Sequence, residues 1–240
     1  MKHKTIKVLS LALLSTLYSA LTHSQISVNR SVIEFSKSAK IQDIEVLNSG
    51  DHKVYLDLKA AEILNPETAN PERVELTDPR TSPLIVSPRQ LLVPPGERRR
   101  MRVILRQSAT DKDRVFRLSV KPYSGSVKID ETGGDKKSSA IKVLVGYDLL
   151  LLSRPVKPKA DVSVKRDNSS IAFHNKGNTN VLLRKIEQCD STGNDCIEMQ
   201  PNRLYAGEMY KVNLPRNGSA ANYPVNVWQA IGLENKKASY

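Results

Sequence analysis

Strand-like alternation dominates this chain, and no segment carries a helical apolar stripe over three turns. In "RRRMRVIL" (98–105), Arg98, Arg100 and Arg102 alternate with Arg99, Met101 and Val103. One face is therefore largely wet, and the other turns inward after its first residue. "SVNRSVIEF", "KIQDIEVLNSG", "KVYLDLKAAEIL", "LIVSPRQLLVPPG" and "RVFRLSVKP" read the same way, with turn residues between them. About seven short strands at such intervals predict an immunoglobulin-like β-sandwich.

"IKVLVGYDLLLLSRP" (141–155) changes character halfway. Ile141, Val143 and Val145 alternate with other residues, as on a strand with one covered face. Leu149 to Leu152 run continuously, as on a strand buried on both faces. If the alternating half faced water permanently it would be an aggregation-prone edge. It needs a cover, either from its own sandwich or from a partner's incomplete sheet to which it adds itself.

Beyond "SRPVKPK", Pro155 and Pro158 interrupt any ladder and mark a linker. A second set follows: "DVSVKR", "SIAFHN", "VLLRKIEQC", "CIEMQP", "EMYKVNLP" and "NVWQAIG". The expected domains are residues 25–154 and 155–240. The two halves echo each other. "NSGDHKV" (48–54) and "NKGNTNV" (175–181) share N-x-G-x-x-x-V after a strand. "LLVPPGE" and "RLYAGE" both place Gly-Glu before another strand, at Gly96-Glu97 and Gly207-Glu208. Two matches in the same order favour a tandem of related sandwiches over coincident turn chemistry.

Composition narrows the setting. "MKHKTIK", an apolar "VLSLALLSTLYSAL" and small residues at Thr22 and Ser24 predict a secretory signal peptide over residues 1–24. No other stretch is long and apolar enough to span a bilayer, so stable membrane insertion is not expected. The net charge of +12 stays strongly positive after loss of Lys2, Lys4 and Lys7, and suggests acidic partners, anionic surfaces or simple solubility. Nucleic acid is a poor fit for an exported chain with one Trp and three Phe. In "QCDSTGNDCIEM", Cys189 and Cys196 flank a turn cluster, which in an exported chain predicts a hairpin disulfide. No His or carboxylate cluster completes a metal site around them. Past the signal only His52 and His174 remain, each in a turn context, and no nucleophile, zinc or phosphate-loop motif appears. The expectation is a protein that is not an enzyme and needs no metal or cofactor. The segment "PYSGSVKIDETGGDKKSSA" (122–140) reads as a loop rich in Gly, Ser and charge.

Taken in order, "ISVNRSVIEF", "LIVSPRQLLVPPGERRRMRVILRQ", "RVFRLSVKP" and a strand ending "LLLLSRP" resemble the periplasmic chaperones of the chaperone–usher pathway of pilus assembly. The resemblance spans almost the whole chain after the signal. "NKGNTNVLLRKIEQC" with its second cysteine is more similar to the alternate or archaic branches. The resemblance implies an all-β protein of two immunoglobulin-like domains in an L shape. It also implies a periplasmic location, with pilin subunits and an outer-membrane usher as partners; separately, an exposed donor edge makes self-association an expectation for the free chain. Its mechanism is strand donation to an incomplete pilin sandwich. By position the donor residues are Ile141, Val143 and Val145, with Tyr147 next in line, and Arg154 sits at the domain junction. In the best-known members a basic pair in the cleft grips the pilin's C-terminal carboxylate. The matching positions here are Val32 and Leu150, which cannot bind an anion. Arg30 and Lys142 are the substitutes that lie nearby in sequence. The competing expectations are an exported structural pilus component and a carbohydrate-binding sandwich. The first would usually be one domain, and the second needs aromatic platforms that a 5% aromatic composition does not supply.

Overall fold

The computed structural model describes residues 25–36, 38–123, 144–232 and 234–240. The expected signal peptide, the expected loop from residue 124 to 140, and Ile141, Lys142 and Val143 lie outside the described residues. Every regular element described is a β-strand.

The first ten strands are β1 (Ile26–Val28), β2 (Val32–Phe35), β3 (Ile41–Asn48), β4 (Val54–Leu64) and β5 (Glu72–Glu75), then β6 (Leu84–Ser87), β7 (Gln90–Val93), β8 (Arg98–Leu105), β9 (Arg114–Pro122) and β10 (Tyr147–Ser153). One sheet runs β1-β3-β8-β6, and the other runs β2-β10-β9-β4-β5 with β7 also on β4. The alternation decides what faces inward. Ile44, Val46, Met101 and Val103 from one sheet meet Leu56, Leu58, Phe116, Leu118, Leu149 and Leu151 from the other in a single buried core. On the outer face of β8, Arg100 and Arg102 pair with Glu45 and Asp43 of β3 at 3.1 and 2.8 Å.

"SVNRSVIEF" is two strands, not one. β1 pairs antiparallel with β3, whereas β2 crosses to the other sheet and pairs parallel with β10. The polar "NRS" between them makes the crossing. Asn29 exchanges hydrogen bonds with the Glu45 main chain through its own N and its Oδ1, both at 3.1 Å. β5 is an addition with no buried residue, so no hydrophobic signal marked it.

The remaining strands are β11 (Val162–Arg166), β12 (Ser170–Asn175), β13 (Val181–Cys189), β14 (Cys196–Met199), β15 (Asn202–Leu204), β16 (Met209–Asn213), β17 (Val225–Ile231) and β18 (Glu234–Ser239). They form a β11-β12-β16 sheet and a β14-β13-β17-β18 sheet with β15 on β13. A second core, built on Ile171, Phe173, Leu183, Ile186, Leu204 and Val227, lies between them. Cys189 and Cys196 are register partners joined by a disulfide.

The repeated motifs meet one another in space. Asn48 is fully buried; its Nδ2 donates to the carbonyls of His52 and Val93 at 2.7 and 2.9 Å, and its Oδ1 accepts from Gly50 N at 3.0 Å. Asn175, equally buried, donates to Thr179 O and Leu204 O at 2.8 and 3.1 Å and accepts from Gly177 N at 3.0 Å. The Gly-Glu pair then closes on the same asparagine. Gly96 N and Gly207 N donate to Asn48 O and Asn175 O, while Asn48 N and Asn175 N donate to Glu97 O and Glu208 O. Gly96 and Gly207 have φ of 71° and 95°, a region costly for other residues. The same buried polar knot is thus built once in each sandwich.

Candidate functional site

Strand β10 has unequal neighbours. β9 pairs with it from Tyr147 to Ser153, but β2 pairs only with Leu150 to Ser153. Leu150 N donates to Ser31 O at 2.9 Å. Main-chain groups alternate sides along a strand, so Asp148 presents its N–H and C=O to the same side as Leu150, and the carbonyl accepts from Arg117 Nη1 at 3.4 Å. Among the described residues no strand pairs with β10 there. The result is a short open sheet edge.

The side chains on this strand divide in a definite place. Leu149 and Leu151 are core residues of the first sandwich. Tyr147 shares their face, packs against that core, and donates its hydroxyl to Ile26 O at 2.7 Å. Val145 has the same parity yet is 46% exposed. Tyr147, placed in the donor set by resemblance, therefore has its side chain on the home core. The change from inward to outward falls at Gly146.

The opposite face of β10 meets the second domain. Leu150 and Leu152 cluster with Val115 of β9, and Ile63 and Tyr205 pack on them. Across this face the registers set Val32 of β2 beside Leu150, and Leu150 beside Arg117 of β9. Val32 is 40% exposed and Leu150 only 7%. Arg30 points elsewhere: its Nη2 donates to Asp43 O at 2.6 Å and its Nη1 to Gln42 Oε1 at 3.3 Å, so it braces β3. Asp148 takes two hydrogen bonds from Arg73, at 3.3 and 3.2 Å, and lies 3.8 Å from Arg117. The bond to Asp148, more than any other contact, raises the pKa of Arg73.

Immediately after β10, Arg154 ties the two sandwiches together. Its Nε and Nη2 donate to the two carboxylate oxygens of Glu34 at 3.0 and 2.9 Å, and its Nη1 to Thr179 Oγ1 at 2.5 Å. Asp113, in the turn before β9, accepts from Thr179 Oγ1 at 2.9 Å and from N and Nδ2 of Asn180 at 2.5 Å each. Arg203 of β15 reaches the same turn and donates to Asn180 Oδ1. Sequence reasoning placed Arg154 at the junction but missed Asp113, Arg203 and Tyr205. The one available signal was that "NKGNTNV" already marked Thr179 and Asn180 as a structured turn.

A family model described as "Pili and flagellar-assembly chaperone, PapD N-terminal domain" matches residues 25–159. The chain belongs to this chaperone family. That family is not a class of enzymes, and the chaperone's structure agrees with solved members in fold. It is similar to the class 5 fimbriae chaperone CfaA at a TM-score of 0.60 and 17% identity, covering 89% of this chain and 98% of that one. A chain of the CsuC–CsuE complex from the archaic Csu pili of Acinetobacter baumannii gives 0.57 and 12%, covering 90% and 98%. A chain of the Salmonella enterica SafA pilin–SafB chaperone complex gives 0.62 and 11%, covering 92% and 98%. These likenesses show a fold of two immunoglobulin-like domains. No curated protein matches the chaperone in sequence.

The cysteines carry no ligand chemistry in this chaperone. Glu187 lies near both sulfurs, but the disulfide leaves no thiolate for a metal. His52 is exposed beside Asp51 in a turn, as expected, whereas His174 lies within strand β12 and not in a turn, because the apolar-polar alternation of "SIAFHN" runs through it.

Proposed function

We propose that this chaperone acts in the periplasm, holding pilin subunits by lending them the segment that runs into β10 and passing them to an outer-membrane usher. The observation that carries the reading is the open edge of β10 at Tyr147–Leu149, with Val145 exposed just before it. An incomplete subunit sheet would add to that edge through main-chain hydrogen bonds, and Val145 with Ile141 and Val143 would enter the subunit's core. Burying three such side chains is worth roughly 5–9 kcal/mol before ordering costs, which holds a subunit yet permits exchange. Tyr147 and the leucine run keep the strand's other end in its own sandwich. Arg154, through Glu34 and Thr179, sets the angle between the domains. We place the boundary between them after Arg154, where β10 has ended and the prolines begin.

The test is subunit capture. Val145→Asp and Val143→Asp should abolish co-purification of candidate pilins from periplasm while leaving the chaperone folded. Undiminished yields of the complex from both variants would overturn strand donation.

A further inference from the structure

Within β10, Asp148 is the residue whose main-chain groups face the open side: Tyr147 and Leu149 turn theirs to β9, and β2 takes over at Leu150. Two arginines converge on it. Arg73 of β5 donates to both carboxylate oxygens, at 3.2 and 3.3 Å. Arg117 of β9 donates through Nη1 to the Asp148 carbonyl at 3.4 Å, and its Nε lies 3.8 Å from Oδ2. With the carboxylate engaged by Arg73, Arg117 meets the same residue through its main chain. Its guanidinium stands where the N–H of an added strand would stand.

This cap is weak. The bond is long and its acceptor is uncharged. The side chains of Arg73, Arg117 and Asp148 are 38%, 35% and 46% exposed, so water screens the charges. An uncovered sheet edge invites pairing with any extended segment, and charged side chains laid across it are a common defence.

We propose that Arg117 guards the lending edge, as a specificity-determining residue that occupies the carbonyl a subunit strand must use. The proposal rests on the strand-lending reading. A second copy of the chaperone, or a polar extended segment, gains main-chain bonds alone and must first displace the guanidinium. A subunit with an open apolar groove also buries Val145, which offsets that displacement. Arg73 keeps its hold during the exchange, because its contacts are to the Asp148 side chain and not to the carbonyl. Since the cap exists only in the free chaperone, removing it speeds capture and leaves release unchanged.

The experiment compares the full secreted chain with Arg117→Met and with Arg117→Gln, whose side chain is polar but too short to cross β10. Sedimentation velocity over a dilution series reads self-association of the subunit-free protein. Both variants should self-associate about threefold more tightly than wild type or more, the effect of losing one weak, exposed contact. Stopped-flow binding of a purified candidate pilin should show association faster by about the same factor, with dissociation unchanged. An arginine that only supports the fold would instead lower Tm and quicken dissociation when replaced. Self-association equal to wild type in both variants, or capture no faster, would overturn the guard. The sedimentation series needs no pilin, so it reads the guard even where subunit capture fails. Capture by wild type without protection of the Asp148 amide would instead count against strand lending itself.

Discussion

Val32 and Leu150 are register partners across the parallel β2–β10 ladder, and both are apolar. Leu150 is part of an interdomain cluster with Val115, Leu152 and Tyr205. A lysine at this position would bury its charge or break the cluster. Leu150→Lys is expected to cost about 3 kcal/mol of stability, and Leu150→Met less than about 1.5 kcal/mol. Urea denaturation of the two variants checks this, and a lysine variant as stable as wild type would contradict the packed cluster.

Arg154 and Glu34 form a two-point ion pair with side chains 13% and 33% exposed. Removing one partner leaves the other partly desolvated and unpaired. Glu34→Gln should cost about 1–3 kcal/mol, less than a fully buried pair because solvent screens part of it. The same variant should broaden the interdomain distance distribution measured by spin-label spectroscopy. An unchanged distribution would mean that Asp113 and the Thr179–Asn180 turn hold the angle alone.

Asn175→Ala would strand three main-chain groups: Gly177 N, Thr179 O and Leu204 O. The expected loss is about 3 kcal/mol. Trp228, the chain's one tryptophan, lies in the second domain and reports its unfolding. Asn175→Ala should move the Trp228 transition to lower urea, and Asn48→Ala should move it less.

Acid should weaken the β11–β12 turn in a definite window. Asp167 accepts from the hydroxyls and amides of Ser169 and Ser170, and the Ser170 hydroxyl contributes most to lowering its pKa to about 2. A depressed carboxylate stabilises the fold fully above its unfolded value, about 3.9, and ceases to as pH falls through about 2. Asp167→Asn should remove that part of the acid sensitivity. A pH titration of Tm between 5 and 2 compares the two proteins.

Much of this was legible in the chain because it is local. The N-x-G and Gly-Glu echoes reported the Asn48 and Asn175 knots, since left-handed turns and buried caps demand particular residues. The leucine run reported a strand buried on both faces, Leu149 and Leu151 in the home core and Leu150 and Leu152 toward the second domain. It did not reveal that Tyr147 packs on the home core while Val145 is exposed, because the two have the same parity and differ only in what covers them. β5 and β18 were missed because "ERVE" and "ENKKAS" are exposed edge strands without an apolar face. The grouping of Asp113 with Thr179 and Asn180 was invisible for another reason: it is created when one sandwich docks on the other, and no short stretch of sequence encodes that.

The most direct test of strand lending is amide hydrogen exchange at Gly146 and Asp148, with and without a captured pilin. The Asp148 amide lies on the open side of β10 and Gly146 immediately precedes the strand, so both should exchange rapidly in the free chaperone and become strongly protected in the complex. Slow exchange in the free protein, or equal exchange in both states, would contradict the account.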